Sequence, residues 1–358
     1  MISWINGFFA LLTIILLAGI SGENIRYFRP ATLTQEEGTV AVSVAINDSL
    51  SRQEIRGKDL SGVTPLNYSM DLHTGICFDN KCRPLKIVVY WNITGRYLGF
   101  ELLDGEYLSK YDHEPFTDAE YEQLHALLAD PFLPLGNYSF EELVKIPDTG
   151  SDEVDGVSGA TSKEVLQYVV EGAAYTTHKL WNIVHGETRE QVSALTEASL
   201  DSHLFSKILE SPDPSDQTWA AERVALLQKM DHEALAAVVR LLREGDYFQG
   251  YLLLRSLSPE QMESDNLQLE LFKLIGTVGS NLETAVIERL SEVSRLSPSA
   301  LDHSFGMIGG LSGQQVIRLL KLYDRHDVRE PKLYEALKGL LPHENAFVGR
   351  QVAHFLER

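Results

Sequence analysis

Apolar and polar residues alternate in three successive ways along this chain. The first is an apolar run, Phe8 to Ile20, closed by Ser21-Gly22-Glu23. A strand-like regime follows. Thr39 to Ile46 is rich in β-branched residues and ends at Asn47-Asp48, and the polar stretch Ser51 to Val63 reads as a connection. Lys86 to Asn92 and Arg96 to Leu102 are two β-prone runs separated by Thr94-Gly95, which predicts a hairpin. Gly99 marks a bulge or a close backbone approach.

Helical spacing then takes over. Thr117 followed by Glu120 predicts a capped helix with Leu124, Leu127 and Leu128 on its apolar face, stopped by Asp130-Pro131. Ser139 to Val144 reads as a short helical turn. Val165, Leu166, Val169, Val170, Ala173 and Ala174 recur as one face of a helix over Ser162 to His185. Tyr175, His178, Trp181 and His185 form a stripe on its distal part, read as an aromatic core seam or as the border of a ring-shaped ligand.

Beyond residue 190 strand signals vanish. Helices are expected at Trp219 to Met230, His232 to Arg243, Tyr247 to Leu257, Pro259 to Val278, Leu282 to Leu296, Ser312 to His326, Pro331 to Leu341 and Asn345 to Arg358. Their connections are short and carry Ser-Pro, Gly-Asp or Pro-His, as stacked antiparallel hairpins require. HEAT-like repeats and a plain helical bundle both satisfy this pattern. The chain divides into residues 1–22, a strand and connection over 23–64, an α+β domain over 65–189 and an all-α domain over 190–358.

Charge narrows the partners. A formal net charge of −20 argues against an extended nucleic-acid footprint and against a basic surface for anionic lipid. The apolar run near the start has the size of a secretory signal core, although its leading residues lack Lys and Arg. A retained membrane anchor is the competing reading, since Ile2 to Ile20 approaches spanning length. Either implies an extracytoplasmic body, periplasmic or secreted. There Cys77 and Cys82 are expected to pair as a disulfide; a partial metal site with His73 is the alternative.

The chemically distinctive stretch is Asp155-Gly156-Val157-Ser158-Gly159-Ala160-Thr161-Ser162. As the polar, glycine-containing entry to a helix it would gather free N–H groups and the positive end of the helix dipole, an anion site. Gly159 and Ala160 leave the backbone approachable, and Thr161 presents a hydroxyl. An N-capped helix with Ser158 or Thr161 as the cap is the plainer alternative.

The stretch resembles the flavinylation motif Asp-x-x-Ser/Thr-Gly-Ala-Thr of FMN-binding domains, found in the C subunit of the sodium-translocating NADH:quinone reductase and the G subunit of the Rnf complex. The resemblance spans roughly residues 65 to 186 and rests on Asp155 to Thr161. It implies an α+β FMN-binding domain ahead of the helical-repeat region. It also implies that a separate flavin transferase uses FAD, that Thr161 takes FMN through a phosphoester, and that AMP leaves. Asp155 would belong to the recognition element, Ser158 would cap or bind phosphate, and Gly159 and Ala160 would line the approach. Many relatives carry Thr or Ser where this chain has Lys163, a cation able to pair with phosphate.

Other catalytic signatures are missing from the sequence: no Gly-x-Ser-x-Gly, His-Glu-x-x-His, Walker loop or Rossmann fingerprint. Asp112-His113-Glu114 reads as a polar loop. The resulting expectation is an exported electron carrier with membrane or periplasmic redox partners, the helical region being a docking surface. A flavin-free exported scaffold that binds protein or peptide is the alternative, and a flavoenzyme acting directly on a small acceptor is a third.

Overall fold

The computed structural model describes residues 25–28, 39–44, 53–59, 65–75, 84–110, 113–139, 142, 144–145, 160–161 and 166–358; before residue 67 the only side chain described is that of Tyr27. Six antiparallel strands form one sheet: β1 (Ile25–Phe28), β2 (Thr39–Val44), β3 (Gln53–Asp59), β4 (Pro65–Thr74), β5 (Leu85–Asn92) and β6 (Tyr97–Leu102). Their order across the sheet is β1-β6-β5-β4-β3-β2. The expected β5–β6 hairpin is present. Gly99 pairs with Tyr90 beside a register shift, the irregularity that the missing side chain marked. The polar stretch read as a connection contains β3, so that expectation is corrected: Gln53–Asp59 pairs on both sides, with β2 and with β4. Its charged residues hid it, because a sheet strand needs only backbone partners and not an apolar face.

Register puts Tyr27, Phe100, Val89 and Met70 in one cross-strand row and Leu102, Ile87 and Leu72 in the next. This apolar face is covered by α1 (Asp118–Leu128), which packs on β1 and β6, and by α2 (Ala174–His185), which packs on α1. The capping box is as expected, with Thr117 and Glu120 bonding each other's backbone N–H. Tyr27 stacks between Phe100 and Tyr121 at centroid distances of 5.3 and 5.5 Å. Trp91 lies fully buried, and its Nε1 donates to the Val184 carbonyl at 2.9 Å, tying the sheet to α2. Burying such a side chain stabilises the fold by about 2–3 kcal/mol.

The helix expected over Ser162 to His185 is shorter than its apolar spacing implied. Leu166–Tyr168 is a single 3-10 turn, Gly172 sits at φ +73°, and α2 begins at Ala174. The left-handed residue stops propagation, while Val169, Val170, Ala173 and Ala174 still reach the core. Ser139 to Val144 is likewise not a helical turn at its end: Val144–Lys145 (β7) pairs antiparallel with Ala160–Thr161 (β8).

Helices fill the rest of the chain. After α3 (Glu187–Ala198) come α4 (Ser202–Leu209), α5 (Pro214–Arg223), α6 (His232–Glu244), α7 (Tyr247–Ser256), α8 (Pro259–Met262) and α9 (Asp265–Leu274). The last five are α10 (Ser280–Glu292), α11 (Pro298–Met307), α12 (Gly313–Arg325), α13 (Pro331–Lys338) and α14 (Ala346–Leu356). The single helix expected over Pro259 to Val278 is divided, because Ser264 caps a new helix there. The one expected over Trp219 to Met230 begins earlier, at Pro214 behind the cap Asp213.

These helices stack in two layers. One holds α4, α6, α9, α11 and α13; the other holds α5, α7, α10, α12 and α14. In the second layer the residues preceding each helix are Asp213, Asp246, Gly279, Ser312 and Asn345, each 33 positions after the last. Seven residues on from each stand Ala220, Leu253, Val286, Leu319 and Val352, every one at 0% exposure. The array is therefore a true repeat of helical hairpins, each unit burying its neighbour's apolar face. Two hydrophobic cores result, one under the sheet and reaching Val192, the other starting at Leu204, with Ile93 touching both.

Candidate functional site

The flavin-motif segment lies between α1 and α2. Of its residues, Asp155, Ser158 and Gly159 fall outside the described residues, as do Lys163, Asp112 and both cysteines, Cys77 and Cys82. Ala160 and Thr161 are described through their backbone, as β8 opposite Lys145 and Val144. Extended backbone at Thr161 is also the conformation of a helix N-cap, and residues 162–165, which follow it, fall outside the described residues.

The stripe on α2 makes defined contacts. His178 bonds through Nε2 to the Tyr138 carbonyl at 2.9 Å. Lys179 Nζ donates to the Gly75 carbonyl at 2.7 Å and lies 5.6 Å from the centre of the Tyr175 ring. Burial lowers the Lys179 ammonium below its ordinary pKa. Farther along the helix, Trp181 Nε1 donates to the Asp130 carbonyl at 2.9 Å, and its ring packs on His185 with centroids 4.7 Å apart. His185 Nε2 bonds to the Leu128 carbonyl at 2.9 Å, while its buried Nδ1 has no hydrogen-bond partner. Burial pushes His185 down to about 4, so the ring is neutral at physiological pH. The stripe is thus divided. Trp181 and His185 form a core seam under the end of α1, whereas His178 reaches Tyr138 and Lys179 reaches Gly75.

His113 is exposed with φ 65°, and Glu114 forms an ion pair with Lys110, which also pairs with Glu120. This is the polar loop expected. His73 is exposed on β4. No helix among the described residues is long and apolar enough to cross a membrane.

Sequence reasoning missed a second polar constellation. The β5–β6 turn meets the start of α5, where Asp216 is 4% exposed. Its carboxylate accepts from Asn92 Nδ2 at 2.7 Å, Thr94 Oγ1 at 2.7 Å, Arg96 at 2.9 Å and Ser211 Oγ at 2.9 Å. Burial alone would raise this carboxyl; the Arg96 charge and the bonds from Arg96, Thr94 and Asn92 outweigh it and hold the group below the ordinary carboxylate range. The same turn is gripped a second time, by a hydrogen bond from Thr196 Oγ1 on α3 to the Ile93 carbonyl. The Asp216 carboxylate is bonded entirely to protein groups from the β5–β6 turn and the start of α5, so the constellation joins the two cores. In the sequence this turn was marked by Thr94-Gly95 as a hairpin, which says nothing of a buried polar contact.

Comparison of the chain with protein-family models, characterised proteins and solved structures returns no match.

Proposed function

We propose that this chain is an exported flavoprotein that carries FMN on Thr161 and relays electrons outside the cytoplasm. One observation carries the reading, the run Asp155 to Thr161 with its Asp, Ser, Gly, Ala and Thr at the flavinylation spacing. The donor chemistry fits: a threonine hydroxyl forms a phosphoester, and the small residues before it leave room for a transferase to bring FAD. In that transfer Thr161 Oγ attacks the phosphoanhydride, its proton leaves to a base of the transferase, and AMP departs.

Bound FMN supplies one- or two-electron chemistry. The chain's own part is to hold and shield it. In this reading Tyr175, His178 and Lys179 of α2 are the candidates to border the ring, with Lys179 adding a partly desolvated positive charge. The helical array is HEAT-like in stacking hairpins in two layers, though its period of 33 residues is shorter than the ~40–47 of HEAT units. It serves as the docking surface for a redox partner. The latch at Asp216 fixes that surface relative to the sheet.

The test is a visible spectrum of the exported chain, taken after gel filtration in denaturant. Flavin bands that co-elute with the unfolded chain and bleach on reduction support the reading. Colourless protein from cells that flavinylate a control domain sinks it, and the helical scaffold becomes the leading function.

A further inference from the structure

The chain enters the sheet at Ile25, which pairs with Leu102, the last residue of β6. Just beyond that pairing stand Leu103, 42% exposed, and Tyr107, 56% exposed, on a turn closed by the Glu106 N–H donating to the Leu103 carbonyl at 2.9 Å. The turn projects from the body. Gly105 has φ +76°, and a Cβ added there would meet nothing within 4 Å among the described residues. The apolar run Phe8 to Ile20 ends five residue steps before Ile25. Five steps reach at most about 18 Å when fully extended. A run set in a bilayer therefore keeps this end of the sheet beside the membrane. The helical array is carried at the opposite end, because β6 spans about 17 Å between Leu103 and the turn that Asp216 grips. Phe132, 91% exposed, is also on the far half. It follows Asp130, which bonds to Trp181 near the end of α2, and Val184 of that end bonds to Trp91 beside the same turn.

We propose that Phe8 to Ile20 is a retained anchor and that Leu103 and Tyr107 rest in the interface of a zwitterionic membrane, with the helical array pointing away from it. Area favours lipid over protein as the occupant. At ~200 Å² for a large side chain, the two exposures give roughly 200 Å², far below the about 800 Å² per partner of a stable protein interface. A tethered body needs no such area, because the anchor already holds it at high effective concentration against the surface. Tyrosine suits the membrane–water boundary, where its ring is buried and its hydroxyl stays wet. Asp104 and Glu106 in the same turn repel anionic headgroups, which selects an uncharged surface. The inference rests on the anchor reading of the leading run and not on flavin at Thr161.

The test puts a fluorescent reporter at each place. Leu103→Trp, Tyr107→Trp and the control Phe132→Trp are each made in a Trp4→Phe background, since Trp4 stands beside the apolar run. The full exported chains are reconstituted into vesicles of phosphatidylcholine brominated near the head of its acyl chains, and the signal of the Trp4→Phe chain is subtracted. Emission from positions 103 and 107 should shift to shorter wavelength and be quenched several-fold more than emission from position 132. Adding Thr161→Ala should leave this quenching unchanged, which separates the outcome from that of the flavin reading. Equal quenching at all three positions, or none at 103 and 107, overturns the proposal. So does an intact mass showing that the leading run has been removed. A blue shift without quenching overturns it too, because the cover is then protein, either a second copy or the chain's own leading residues.

Discussion

Arg96 on the β5–β6 turn and Asp216 on the first helical repeat meet at 2.9 Å, with Asp213 a second carboxylate 3.3 Å from the same guanidinium. The turn that delivers Arg96 occupies the place where a preceding repeat would stand. Inside the array that place is filled by polar side chains of the same layer: Gln249 bonds back to Gln217 at 2.8 Å, and buried Glu283 accepts from Gln315. The α+β unit therefore caps the open end of the array, which an α-repeat protein requires for solubility.

Breaking this latch is expected to cost much. Removing one partner of a buried pair destabilises by about 3–5 kcal/mol. Asp216→Ala should lower the melting temperature and separate the unfolding of the two cores, visible as two calorimetric transitions. A single transition at the wild-type temperature would show that the pair does not couple them.

Acid should release the same latch. The Asp216 carboxyl is held below its unfolded pKa, so its contribution is fully present above about pH 4 and is lost as pH falls through the folded value. Urea midpoints measured from pH 6 down to pH 3 should fall more steeply for the wild type than for Asp216→Ala.

His185 predicts a separate pH dependence. Its folded pKa of about 4 lies below the ordinary 6.5, so between those values the unfolded chain binds the extra proton. Stability should decline as pH drops from about 6.5 to about 4. His185→Gln removes that decline; a profile identical to the wild type would assign the acid sensitivity elsewhere.

The repeat register makes its own prediction. Leu253 and Leu319 occupy equivalent, fully buried places two repeats apart. Truncating either to Ala should cost about 2–5 kcal/mol, and the two losses should be similar because the environments repeat. Chemical unfolding of both variants checks this. Gly95, by contrast, is constrained by backbone: φ is +81°, and a Cβ would lie 3.0 Å from the Arg189 carbonyl oxygen. Gly95→Ala should destabilise by more than ~1 kcal/mol.

Much of the fold was readable where chemistry is local. The Thr117–Glu120 capping box, the β5–β6 hairpin and the helices at His232, Tyr247 and Gly313 follow from caps, turn residues and apolar spacing within a few positions. A helical repeat was expected, but its 33-residue period escaped because its caps vary among Asp, Gly, Ser and Asn, and its most buried column accepts Ala, Leu or Val. Burial fixes apolarity at such a column and leaves identity free. Asp216 was invisible for another reason: Asn92 and Arg96 lie more than a hundred residues away along the chain. The overlong helix expected after Thr161 failed at Gly172, whose positive φ interrupts an otherwise continuous apolar face.

The central claim concerns Thr161, and intact mass addresses it most directly. The chain is exported together with a flavin transferase, beside Thr161→Ala, and each is analysed by mass spectrometry and by in-gel fluorescence after denaturation. One added FMN and surviving fluorescence in the wild type, both absent from the variant, are the predicted result. An unmodified wild-type chain, under conditions that label a control FMN-binding domain, would contradict it.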